Sequence, residues 1–206
     1  MTENFLKYFP ELKESQKTKL IRLKSIYERW NAMINVISRK DMDNFYLHHV
    51  LHSMAIARII SFTPGTTILD VGTGGGFPGI PLAILFPDSE FSLLDSIEKK
   101  IRVVTAVKEE LGLENVITVR KRVEDEKRKY QFIVSRAVTD FSGFVKLTRK
   151  NLDIKGHNNL KNGILYLKGG DLTGELALYS TIKVWEIKDY FAEPFFETKK
   201  IVYLPV

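Results

Sequence analysis

The chain has 206 residues, a net charge of +6 and no cysteine, which excludes disulfides, thiolate metal sites and cysteine nucleophiles. Its 44% hydrophobic and 27% charged content is that of a soluble globular chain, and a chain this long buries roughly 70% of its unfolded surface without staples. No secretory stretch is seen near Met1 and no run approaches the ~20 apolar residues of a membrane span, so the expected location is the cytoplasm; the charge permits an anionic partner without requiring one.

Residues 11–62 read as helical. Leu20, Leu23, Ile26, Tyr27 and Trp30 recur at helical spacing. A second helix, capped by Asp41 or Asn44, carries Leu47, Val50, Leu51, Met54 and Ala55 on its apolar face. Pro64-Gly65 ends this region, giving an N-terminal helical extension over 1–64 and a second domain over 65–206.

The pattern then changes to strands alternating with helices. Strands are predicted at 66–71, 90–95, 116–119, 130–135 and 163–168, with helices at 77–86, 98–111 (stopped by Gly112), 141–150 and 172–179. Two more strands, 182–190 and 199–204, have no convincing helix between them and are expected to pair antiparallel. The whole reads as an α/β, Rossmann-like fold with a mostly parallel seven-stranded sheet and an antiparallel final strand.

The first strand runs into Asp70-Val-Gly-Thr-Gly-Gly-Gly-Phe-Pro-Gly79 and then a helix. In that context Gly72, Gly74 and Gly76 allow a tight turn and close approach of a ligand to the backbone. Asp95 ends the next strand, where a carboxylate accepts two ribose hydroxyls. Glu124 follows the third strand, beside the expected adenine. These are the parts of a nucleoside site, and two cofactors compete for it. A nicotinamide dinucleotide requires a pyrophosphate site and a second mononucleotide half. The loop is Gly-x-Gly-x-Gly, and Pro78 removes an N–H from the helix mouth. S-adenosylmethionine carries no phosphate and tolerates both features, with Asp70 placed near its sulfonium or amino group.

Absences narrow the acceptor. Cytosine-carbon methylation uses a cysteine, and there is none. The turn after the fourth strand reads Ser135-Arg136-Ala137-Val138, without the Asn/Asp-Pro-Pro-aromatic motif of exocyclic amino transfer. The acid expected there for ribose methylation is missing as well. A ring nitrogen such as guanine N7 keeps a free lone pair and needs positioning rather than proton removal. A noncatalytic RNA-binding module and a small dehydrogenase stand as alternatives.

Several segments in fixed order resemble the bacterial 16S (small-subunit) ribosomal RNA guanine-N7 methyltransferase family, formerly called glucose-inhibited division protein B. They are 29–38, 69–83 with its Gly-Phe-Pro-Gly-Ile-Pro continuation, Leu94-Asp-Ser96 with Lys99-Lys100, Arg122-Val-Glu124, Val134-Ser-Arg-Ala137 and Tyr166-Leu-Lys-Gly169. The resemblance implies a class I methyltransferase with an N-terminal helical extension. It also implies S-adenosylmethionine contacts at Gly72, Phe77, Val123, Glu124 and Arg136, and a guanine N7 of small-subunit ribosomal RNA or the ribosomal subunit as acceptor. One segment departs from the family: His48 stands where an arginine is common and His52 where an aspartate is.

Arg136 and Lys168, at strand ends, are the candidate substrate-positioning cations, against structural or surface roles. His48 and His52 have the spacing of two metal ligands on a helix, but no acid partner is evident and no metal is expected; a place near the substrate and plain packing or surface are their other readings. Lys121-Arg122 and Lys127-Arg128-Lys129 read equally as RNA contacts or a solvated edge, and Trp30 as core.

Overall fold

The computed structural model describes residues 4–136 and 138–206, without the side chains of Asn4 and Arg39. Seven strands form one sheet: β1 (Thr67–Val71), β2 (Glu90–Asp95), β3 (Val116–Arg120), β4 (Phe132–Arg136), β5 (Gly163–Gly169), β6 (Lys183–Glu186) and β7 (Lys199–Pro205). Their order is β3-β2-β1-β4-β5-β7-β6, with the first five parallel and β7 antiparallel to both neighbours. The order reverses at β1, so the carboxyl ends of β1 and β4 diverge around a crevice. Helices cover both faces of the central strands, so β1, β2 and β4 carry near-continuous buried runs.

The helices are α1 (Asn4–Tyr8), α2 (Glu14–Met33), α3 (Arg39–Met42), α4 (His52–Met54), α5 (Gly79–Leu85), α6 (Glu98–Leu111), α7 (Phe141–Thr148) and α8 (Thr173–Leu176). In α6, Ile101, Val104, Val107 and Leu111 recur at helical spacing and are buried. Gly112 ends it in the left-handed conformation, with φ of 58°. The long helix α2 buries Leu20, Leu23, Ile26 and Tyr27. These residues share one apolar cluster with Ile80 and Leu82 of α5, Val104 of α6 and Phe91 of β2. Helices before residue 65 and the sheet after it therefore share one core.

The second expected helix forms differently. A separate short helix, α3, precedes it, capped by Ser38, which accepts from Asp41 N at 3.2 Å, and the winding that carries Leu47 to Ala55 starts after Phe45 with no side-chain cap from Asp41 or Asn44. The chain then winds as a π-helical turn (Tyr46–Leu51), the short α4 and a 3₁₀ turn (Ala55–Arg58). Wider winding changes which groups the backbone offers to the rest of the molecule. His48 O accepts from Arg136 at 2.9 Å and His49 O from Ser53 Oγ at 2.6 Å.

Several other elements are shorter than expected, the helices predicted at 141–150 and 172–179 among them, which span Phe141–Thr148 and Thr173–Leu176. The helix after the glycine loop begins at Gly79, because Asp70 Oδ2 accepts that residue's N–H at 2.9 Å. The fourth strand begins at Phe132, and Tyr130 instead bridges Leu152. The sixth stops at Glu186, where a 3₁₀ turn (Ile187–Asp189) drives Ile187 into the core beside Phe191 and Phe196.

Candidate active site

The loop between β1 and α5 is held from below. Asp70 is wholly buried, and its Oδ2 accepts from Thr73 Oγ1 at 2.6 Å and from Gly79 N at 2.9 Å. Burial pushes its carboxyl up to about 7, against the opposing pull of these two donors. Asp70 was expected beside the sulfonium; it lies beneath the loop and ties its two ends together. Phe77 also points down, among Tyr27, Phe45 and His49, with ring centroids 5.1 to 5.9 Å from it. A turn closed by Gly76 N and Phe77 N on Thr73 O sets that direction. Tyr27 donates its hydroxyl to Gly75 O, and burial pushes that phenol far above its ordinary range.

Above the loop lies a cavity of about 380 Å3. Gly72, Asp95, Val123 and Glu124 all line it, so four of the predicted contacts converge. Gly72 has φ of +66°, and a Cβ there would meet Val138 Cγ2 at 2.5 Å. Gly74 donates its N–H to Asp95 Oδ2 at 3.0 Å, and Ile97 N donates to Oδ1 at 2.9 Å. Each oxygen of Asp95 thus keeps acceptor capacity for a diol. Leu94, Val123 and Leu147 supply apolar walls for a purine. A nucleoside suits this set of a diol acceptor, apolar walls and a glycine backbone without a side chain; Lys100, Lys121 and Arg122 also belong to the lining. When bound, S-adenosylmethionine supplies a methyl group made electrophilic by its sulfonium.

A second cavity, about 390 Å3, opens beside the ends of β4 and β5. Its polar wall includes Arg136, Lys168, Lys199, His48 and Asp41. Arg136 donates to His48 O and to His49 Nδ1, both at 2.9 Å, and its guanidinium lies 5.5 Å from the Phe77 ring centroid. It has no ion pair with a carboxylate among the described residues, and burial lowers its pKa to about 10. Because Arg136 is a donor only, His49 Nδ1 must accept and the His49 proton sits on Nε2. Burial and the Arg136 charge lower the pKa of His49 to about 3, and burial first of all holds His52 well below its ordinary range. Both imidazoles are neutral at physiological pH.

Lys168 pairs with Glu175 and lies 5.1 Å over the Tyr166 ring. The Tyr166 hydroxyl accepts from Val138 N at 2.9 Å and Thr139 N at 3.0 Å, and donates to Thr139 O at 2.9 Å. It thereby pins the loop that separates the cavities: Val138 lines the first and Thr139 the second. Sequence reasoning missed Phe195 and Lys199, which lie in none of the quoted segments; Tyr166 opens the Tyr166-Leu-Lys-Gly169 segment, but spacing assigned its hydroxyl no role. Of the other basic candidates, Lys121 pairs with Glu126 at 3.2 Å, Arg128 with Glu90 at 2.5 Å and Lys129 reaches Lys150 O, while Arg122 lines the first cavity. Trp30 packs against the core and donates to Glu110 Oε1 at 3.0 Å.

A family model described as rRNA small subunit methyltransferase G matches residues 16–193. The chain is 56% identical over 200 residues to the ribosomal RNA small subunit methyltransferase G of Christiangramia forsetii, covering 97% of this chain and 95% of that one. It is 52% identical over 205 residues to the protein of the same description from Phocaeicola vulgatus, covering 99% and 98%. A solved SAM-dependent O-methyltransferase from Thermotoga maritima shares the fold, with a TM-score of 0.59 at 15% identity over 81% of this chain and 70% of that one. The strand order, the nucleoside cavity and these likenesses agree: the chain is an S-adenosylmethionine-dependent methyltransferase of class I fold and belongs to the rRNA small subunit methyltransferase G family.

Proposed function

We propose that this chain transfers the methyl group of S-adenosylmethionine to N7 of one guanine in 16S ribosomal RNA, in the free RNA or in the small subunit. The observation that carries this is the contact of two cavities at one loop, with consecutive residues Val138 and Thr139 facing one each. A nucleoside cavity on one side and a cationic cavity on the other suit a donor and a polyanionic acceptor. Names given to the relatives supply the acceptor class.

Guanine N7 attacks with a lone pair and releases no proton in the transfer. The work left to the protein is to hold the base in line and exclude water. The residues of the second cavity suit that work better than proton removal. His49 and His52 are neutral with strongly lowered pKa, hence weak bases. Asp41, the acid on this wall, is engaged by Ser38 Oγ at 2.9 Å and His48 Nδ1 at 3.1 Å. Arg136 and Lys168, the positioning cations, orient the phosphate or the base edge. Asp70, Gly72, Gly74, Phe77, Asp95, Val123 and Glu124 serve the cofactor, Asp70 and Phe77 by shaping the loop from below.

The test is transfer of labelled methyl from S-adenosylmethionine to small subunits and to RNA that lack the mark, with the product mapped by cleavage at N7-methylguanine. Label at guanine N7 in either substrate is expected. Label on another atom, or none in both, overturns the reading.

A further inference from the structure

We infer that the stacked rings of His48 and Phe195 form the platform on which the acceptor guanine is held, which makes Phe195 a substrate-binding residue. The inference rests on the function proposed above and adds the subsite that takes the base.

Phe195 comes from the 3₁₀ turn Pro194–Phe196 between β6 and β7, remote from every motif. The two phenylalanines of that turn differ. Phe196 is fully buried and anchors the turn in the core, whereas Phe195 is half-buried on the wall of the second cavity. Its ring stacks on His48, with centroids 4.1 Å apart and planes 19° from parallel, and His52 meets it edge-on at 5.6 Å. The Lys199 ammonium sits 5.0 Å from its centroid. His48 is itself fixed by Asp41 at 3.1 Å, so the pair is a supported aromatic surface.

The polar groups around the surface select the occupant. A guanine displaced from its RNA stack presents a flat π-face and, on one edge, the acceptors N7 and O6. The cavity offers that face a platform and has Arg136, Lys168 and Lys199 for O6 and the adjoining phosphates, while N7 must stay unbonded so that its lone pair meets the methyl group. Enzymes that act on a base hold it in this manner, stacked on aromatic side chains and read along one edge.

The experiment compares Phe195→Leu, Phe195→Tyr and Phe195→Trp in the full chain. Readouts are kcat/KM for the unmarked substrate that wild type uses, S-adenosylmethionine affinity by calorimetry, and melting temperature. Phe195→Leu is expected to lower kcat/KM by roughly 5- to 150-fold, the range that loss of base stacking produces. The Tyr and Trp variants keep a π-face and are expected to stay within about threefold of wild type. Cofactor affinity is expected to be unchanged in all three. Equal activity of the Leu and aromatic variants overturns the inference, as does a loss of cofactor affinity that matches the loss of transfer. Should Phe195→Leu melt before assay, His48→Leu against His48→Phe asks the same question from the other ring, with the same outcomes. Wild type that methylates another RNA atom defeats the N7 reading alone, because the aromatic requirement is still read from the series.

Discussion

Two buried ionisable residues show how position sets a role. Arg136 binds through both arms of its planar fork, to His48 O and His49 Nδ1. Truncating a buried, hydrogen-bonded cation leaves its partners unpaired. Arg136→Ala is expected to lower transfer on the order of 100-fold or more, and Arg136→Lys to restore little, since an ammonium cannot reproduce the fork. Steady-state methyl transfer checks both, and normal rates for Arg136→Ala would remove Arg136 from the machinery. Asp70 carries a pH signature instead. Its folded pKa of about 7 exceeds the ~3.9 of an unfolded chain. Between those values the native state holds a proton that the unfolded state has released, so this contribution to stability falls as pH rises from about 4 to about 7, then levels off. Asp70→Asn keeps an acceptor oxygen for Gly79 N and removes the titration. Thermal unfolding of the variant across that window is expected to be flatter than that of wild type; identical pH profiles would contradict the account.

At the scale of elements, glycines of like backbone conformation separate function from fold. Gly72 (φ +66°) and Gly112 (φ +58°) are both left-handed. A Cβ at Gly72 meets Val138 Cγ2 at 2.5 Å and intrudes on the nucleoside cavity, while one at Gly112 meets nothing within 4 Å. Each substitution by Ala costs about 1–2 kcal/mol of backbone strain. Gly112→Ala is therefore expected to melt slightly lower and methylate normally, and Gly72→Ala to lose cofactor binding by at least tenfold (about 1.4 kcal/mol). Calorimetry on both variants tests this, and equal affinities would show that the loop tolerates a side chain. The elements themselves were unevenly legible. α6 was read to the residue, because its apolar period and Gly112 are local signals. The π-helical turn at Tyr46–Leu51 was not, because its apolar residues fit an α-helical period equally well. Its winding is bound up with tertiary partners such as Arg136 on His48 O.

Across the whole molecule, the net charge of +6 acts at long range where the nucleoside cavity does not. The adenosyl site is lined by Asp95 and Glu124 beside Lys100, Lys121 and Arg122, with apolar walls and glycine backbone, and its occupant carries no phosphate for those cations to meet. The RNA acceptor releases counterions from each phosphate a cation meets. Raising salt from about 50 to about 200 mM is expected to raise KM for RNA steeply and to leave S-adenosylmethionine affinity nearly unchanged. Equal salt dependence for both ligands would mean that the cationic wall around Arg136, Lys168 and Lys199 does not face RNA. Among the described residues no helix is long and apolar enough to cross a membrane.

The sequence by itself determined the alternation of strands and helices, the glycine turn, and the acid that ends the second strand at the first cavity. Each is written in neighbouring residues: Gly72 to Gly76 in one turn, Asp95 at the end of one apolar run. Tertiary structure alone decided the second cavity. Its wall draws on Asp41 to His52, Arg136, Thr139, Tyr166 to Gly169, Phe195 and Lys199, which share neither a period nor a motif and meet only when β5, β7 and the π-helical turn converge. It also placed Asp70 beneath the loop, where its Oδ2 ties the two ends of the turn together, because burial, which spacing does not encode, separates a carboxylate that lines a cavity from one that lies under it.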